Sequence, residues 1–167
     1  MTSTFLSISC LLFVAVYVSA QQYKYDVVVN VNSETPKVNG KMYININSCI
    51  RCKDGVLLTK YPPAQKSDEI ISGETYEARG VYLDDPIEKV NEVSFYWEST
   101  DLNEKRKLKI NYVFLLPYNK KNQLEFDKNQ VYVSDTEISS KKTVSLKVVK
   151  EANKEIMASI KSMSMYH

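Results

Sequence analysis

The chain has 167 residues, with 22 basic and 20 acidic side chains, one histidine and a formal net charge of +2. Proteins that bind nucleic acid usually concentrate a large positive excess, so this balance argues against that class of partner. The length suits one hydrophobic core, and with four glycines and no low-complexity segment the chain is not read as flexible or fibrous.

Residues 1–20 are set apart from the rest. Phe5 to Val18 is an apolar run of about fourteen residues, shorter than the roughly twenty that span a bilayer, and it ends in Val18-Ser-Ala20. Small residues at the last and third-last positions fit a signal peptide cleaved after Ala20, so the chain from Gln21 onward is expected to be secreted and extracellular.

Alternation then takes over. Tyr23, Tyr25, Val27, Val29 and Val31 share one face of a first strand, with Lys24, Asp26, Asn30 and Asn32 opposite; Met42, Ile44 and Ile46 mark a second. Cys49 and Cys52 follow in Ser48-Cys-Ile-Arg-Cys52. One reading is a short-range disulfide, stabilising by about 2 kcal/mol through its small loop. The other is a redox C-x-x-C pair, which needs a thiolate at a helix N-terminus, whereas here a Lys53-Asp54-Gly55 turn comes next. That context favours the disulfide.

Val56 to Tyr61 and Thr75 to Tyr82 supply two further strands, and Asp84-Asp85-Pro86 a turn. The most informative stretch is Val93, Phe95 and Trp97, every second residue of one strand. Burying the only tryptophan removes roughly 200 Å² from water and contributes up to about 5 kcal/mol at about 25 cal/mol per Å², so these three are expected core anchors. Leu108, Ile110, Tyr112, Phe114 and Leu116 make another one-faced set, and Gln130 to Val133 and Thr143 to Val149 complete about eight strands. With turn signals between them and no alternating βα pattern, the expected fold is all-β, an antiparallel β-sandwich over residues 21–150. In the tail, residues 151–167, Ala152, Ile156, Ile160 and Met163 recur at helical spacing, which suits one or two helical turns after the last strand; the stripe reads as a packing face or as a frayed, disordered tail rather than a dedicated membrane or partner helix.

Catalysis is not expected. A serine hydrolase needs a Gly-x-Ser-x-Gly elbow with a histidine to accept the proton, but this chain lacks the elbow and its lone histidine is His167. A metal hydrolase needs clustered ligands that one terminal histidine does not provide.

Three stretches, Tyr25-Asp-Val-Val-Val-Asn-Val31, the Trp97 strand and Leu108-Lys-Ile-Asn-Tyr-Val-Phe114, resemble a PLAT domain, as do Gly73-Glu-Thr-Tyr76, Gly80-Val-Tyr-Leu83 and Asp84-Asp-Pro-Ile87. This is the β-sandwich at the C-terminal end of secreted pancreatic-type lipases, and the resemblance runs from about Tyr23 to about Val149. It implies a stand-alone accessory domain without the catalytic one. Two roles follow from it: an adaptor for a lipid or membrane surface, or a module binding a secreted protein partner.

No cofactor is required by either role. Some PLAT relatives bind calcium through loop carboxylates, which makes Asp84 and Asp85 the candidate ligands, with Glu88 and Asp101 the nearest conceivable additional ones. For the lipid role, successive antiparallel strands would gather the Cys49 to Asp54 loop, the Tyr82-Leu83 turn and the Tyr118 to Lys121 loop at one end. Tyr82, Leu83 and Tyr118 would then be exposed apolar tips, with Arg51, Lys53, Lys120 and Lys121 facing anionic headgroups. Scattered exposed tyrosines are also ordinary protein surface.

Overall fold

Runs of alternating β-branched and aromatic residues place their apolar members on one face, and each such run is a strand in the computed structural model. It describes residues 22–47, 55–60, 68–128, 130–134 and 136–149, together with Ile156, Ala158 and Ser162. The long strands are β1 (Tyr23–Val31), β2 (Val38–Ile46), β3 (Val56–Lys60), β5 (Thr75–Leu83), β6 (Val93–Ser99), β8 (Ile110–Pro117), β9 (Gln130–Val133) and β11 (Val144–Val149). Three two-residue strands, β4 (Glu69–Ile70), β7 (Lys107–Leu108) and β10 (Ile138–Ser139), sit between them. The fold is all-β, and every strand pairing is antiparallel.

The pairings close a ring. They run β3-β5-β1-β8-β9-β11-β6-β2, and β2 pairs β3 again, giving an eight-stranded barrel with β4 appended to β2. Two strands turn the corners. Residues 56–58 of β3 pair with β2 and residues 59–60 with β5, while residues 144–146 of β11 pair with β6 and residues 147–149 with β9. The expected sandwich has free edges; here β3 and β11 change partners along their length, and among the described residues no long strand is left as a free edge of an open sheet.

Val93, Phe95 and Trp97 lie in the interior, where they meet Tyr25, Val27, Val29, Met42, Ile44, Val113 and Leu115 in one apolar cluster. The Trp97 indole donates its N–H to the Ile138 carbonyl at 2.8 Å, so its single polar atom is satisfied without water.

The Leu108 to Leu116 set does not keep one face. Val31 pairs with Ile110 and Asn30 with Tyr112, which leaves Asn111 as an extra residue on β8. Such a bulge inverts the orientation of everything beyond it. Leu108 and Ile110 therefore point inward, whereas Phe114 and Leu116, with Tyr112 packed beside them, join Val28 and Val131 in a second cluster on the outside of the wall. Leu124, Phe126, Val149 and Ile156 cover it, and Ile156 from the C-terminal stretch is only 7% exposed.

Candidate ligand-binding cleft

The start of β1, the end of β5, the turn after it and the loop after β8 meet at one end of the barrel. They enclose a cleft of about 500 Å³, within the 300–1,000 Å³ typical of small-molecule sites. Its lining includes Tyr23, Lys24, Tyr82, Glu88, Tyr118 and Lys120.

Behind Tyr118, outside the lining itself, lies a buried carboxylate. Tyr25 pairs with Val81 and Val27 with Ala78, so Asp26 alone faces Arg79 and Gly80 across a bulge in β5. Gly80 adopts φ +65°, a conformation glycine takes without steric cost, and its amide donates to Asp26 Oδ1 at 2.8 Å. Asp26 is 2% exposed. The Tyr118 hydroxyl caps it, 3.1 Å from each carboxylate oxygen. Burial, then the Asp26 charge and that hydrogen bond, push the Tyr118 hydroxyl up to about 12.

In the cleft the Lys24 ammonium stands 4.2 Å from the centre of the Tyr118 ring and donates to Asn122 Oδ1 at 2.8 Å. The loop after β8 is itself a tight hairpin. Asn119 and Gln123 are joined by their backbones at 2.8 Å, and Asn119 Oδ1 accepts from the amides of Lys121 at 2.8 Å and Gln123 at 3.0 Å. A side chain that satisfies two turn amides fixes the loop, so Lys120 and Lys121 project from a pre-formed tip. Behind it Lys128 pairs with Glu125 at 2.9 Å.

On the opposite wall the Tyr25 hydroxyl donates to the Asp85 carbonyl at 3.0 Å, tying the Asp84-Asp85-Pro86 turn to β1. Burial raises the Tyr25 hydroxyl well above the usual phenol range, and the nearby charges of Glu88, Tyr23 and Asp85 add to the shift.

The sequence-derived candidates are partly assembled here. Tyr82, 49% exposed, Tyr118 and Lys120 share the cleft, and Lys121 lies beside it at the hairpin tip. Leu83 does not belong to this surface. β5 continues through Leu83, opposite Tyr23, so the alternation turns Leu83 into the core, where it is fully buried. Cys49, Arg51, Cys52 and Lys53 lie outside the described residues, as do residues 1–20. Asp84 and Asp85 are partly exposed, and among the described residues no group of three or more His, Cys, Asp or Glu could hold a metal ion. Two adjacent acids fall short of the six to eight oxygen ligands that calcium takes.

Lys24, Asp26 and Asn122 are the contributors sequence reasoning missed. Lys24 and Asp26 fall on the polar side of the first strand, a pattern shared with any solvated face. Asn122 lies 98 residues from Lys24, and Tyr118 and Gly80 lie 92 and 54 from Asp26, so no local signal marks them.

No protein-family model matches the chain, and no curated protein matches it. Among the described residues no helix is long and apolar enough to cross a membrane.

Proposed function

We propose that the chain is a secreted, non-catalytic PLAT-like module that binds a lipid or membrane surface as an adaptor, using the cleft end of the barrel. The observation that carries this reading is the convergence of Tyr82, Tyr118, Lys24 and Lys120 on one cleft beside the Lys121 tip. Tyrosine suits a boundary between apolar and wet surroundings, and a basic residue near an anionic surface contributes about 1 kcal/mol. The walls β3-β5-β1-β8-β9-β11 and β11-β6-β2-β3 are read as the two layers of a PLAT-like sandwich that meet at shared corner strands. Val18-Ser-Ala20 supports secretion, and the absence of an elbow serine, with the one histidine at position 167, supports a non-catalytic role.

Co-sedimentation with neutral phosphatidylcholine and anionic phosphatidylglycerol vesicles tests the reading. Tyr82→Ser is expected to weaken binding to both. Lys120→Ala with Lys121→Ala is expected to weaken binding to anionic vesicles most, and chiefly at low salt, because exposed charges are screened within about 10 Å at 0.1 M. A protein that pellets with neither vesicle, yet retains a specific secreted protein, would replace the lipid reading with that of a protein-binding module.

A further inference from the structure

The wall made by β2, β6 and β11 lies away from the cleft, since β6 is four strands from β1 in either direction round the ring. Ile44, Ile46, Val93, Phe95 and Leu146 point into the core, so the residues between them point outward. Asn45 stands opposite Ser94, and Ser94 opposite Ser145, which sets the three in one row across three strands. The next row, about 7 Å along the strands, is Leu57, Tyr43 and Tyr96. The two tyrosine rings lie 5.9 Å apart, tilted by 44°. A depression of about 360 Å³ follows the polar row, bordered by Asn47, whose amide donates to Asn91 Oδ1 at 3.2 Å. Gly55, at φ +86°, approaches so closely from the β3 side that a Cβ there would stand 2.5 Å from Asn45 Oδ1, which braces that amide.

Every polar side chain in the two rows is neutral. The Asn45 amide and the hydroxyls of Ser94, Ser145, Tyr43 and Tyr96 form no hydrogen bond among the described residues, and none of these residues is buried. Beyond the tyrosines, Lys41 and Glu98 face each other across β2 and β6, and Glu98 also meets Lys141 at 3.8 Å. The depression itself holds one charge among its described lining residues, the exposed carboxylate of Glu92, which repels an anion. Three strands about 4.8 Å apart and two rows about 7 Å apart make a patch on the order of 200 Å², an area over which a protein interface makes one or two hydrogen bonds. Five unused hydrogen-bonding side chains on that area match a denser ligand. A sugar ring has this density, with hydroxyls round its rim and C–H faces apolar enough to pack on tyrosine. We propose that this face binds a neutral oligosaccharide, its rings packed on Tyr43 and Tyr96 and its hydroxyls bonded by Asn45, Ser94 and Ser145. Side chains carried on the paired strands of a closed barrel are placed before the ligand arrives, so little ordering opposes binding. The site is separate from the cleft and does not depend on the lipid-surface reading.

The test is an array of neutral glucose, mannose, galactose and N-acetylglucosamine oligomers beside their sulfated and uronic-acid counterparts, probed with the whole protein. Calorimetric titration with the neutral oligomer that the array retains best then measures affinity. Binding of a neutral oligomer is expected, at least about tenfold tighter than its acidic counterpart, which meets Glu92. Tyr96→Ala and Asn45→Ala should each weaken the neutral oligomer about fivefold or more, the scale of one lost contact. Tyr82→Ser and Lys120→Ala, in the cleft, should leave it unchanged. Unchanged Trp97 fluorescence and urea midpoints exclude misfolding as the cause. No retention by any neutral oligomer, equal retention by the acidic ones, or neutral binding untouched by Tyr96→Ala and Asn45→Ala overturns the inference. So does a protein partner that is lost with Tyr96→Ala but kept after its glycans are removed, which would make this face a protein interface. Vesicle sedimentation should be the same for Tyr96→Ala and the parent, so failure of the lipid-surface reading and failure of this one are read separately.

Discussion

The Tyr118 hydroxyl bridges both oxygens of the Asp26 carboxylate, which the Gly80 amide holds from the other side. An almost fully buried carboxylate needs such donors, because each one removed exposes the desolvation cost of the charge. Tyr118→Phe keeps the ring under Lys24 and deletes only the donor, so it should lower stability by about 1–3 kcal/mol in urea titration. Combined with Asp26→Asn, the loss should be smaller than the sum of the two single losses, since both act on one network. Additive losses would mean that the two groups do not act together.

The tyrosine shifts set the alkaline limit. The Tyr118 hydroxyl is raised from 10.0 to about 12, and burial holds the Tyr25 and Tyr132 hydroxyls higher still. Above pH 10 the unfolded chain releases these protons while the folded chain keeps them, so the folded state binds more protons and stability falls as pH rises. The associated stability should be complete below about pH 10 and be lost between about pH 10 and 12 for Tyr118. Absorbance titration of phenolate should show a late-ionising group of tyrosines that shifts back to about pH 10 in urea.

Gly80→Ala should cost about 1–2 kcal/mol, because φ +65° forces an L side chain into the left-handed region. The added Cβ would also stand 3.3 Å from Lys24 Cε, disturbing the lysine that the cleft relies on. A urea midpoint equal to the parent's would show that this bulge carries no strain.

Trp97→Ala should cost about 3–5 kcal/mol, removing a buried side chain and stranding the Ile138 carbonyl. That is a large share of the 5–15 kcal/mol of a typical domain, so poor secretion or unfolding is the expected outcome. Near-parent stability in thermal unfolding would contradict the packing of β6.

The eight long strands were legible because each carries its own local pattern. Val93, Phe95 and Trp97 needed only a period of two to be placed on one face. What failed were features made by partners. Asn111 looks like any polar residue of an alternating strand, and only its register against Asn30 and Val31 makes it a bulge that turns Phe114 outward. Leu83 read as the tip of a turn because nothing in the sequence says that β5 extends to meet Tyr23. Closure of the ring depends on β3 and β11 each serving two partners, a long-range property with no compositional signature. In the cleft, Tyr82, Tyr118 and Lys120 could be named as loop residues of suitable chemistry, whereas Lys24 and Asp26 acquire their roles only from strands brought alongside.

The outer cluster supplies the last prediction. The Asn111 bulge commits Phe114 and Leu116 to the outside of the wall, where they would form an apolar patch with Val28 and Val131 unless covered. Ile156 supplies part of that cover and is nearly buried in doing so. Ile156→Ala should therefore lower stability by about 1–3 kcal/mol, below the range for a central core residue because the cavity opens toward solvent. Ile156→Lys should do more than destabilise: a charge cannot stay on that patch, so Phe114 and Leu116 become accessible and the protein should bind a hydrophobic dye and self-associate in light scattering. If Ile156→Lys is as stable and monodisperse as the parent, the C-terminal stretch does not hold this cluster closed in solution.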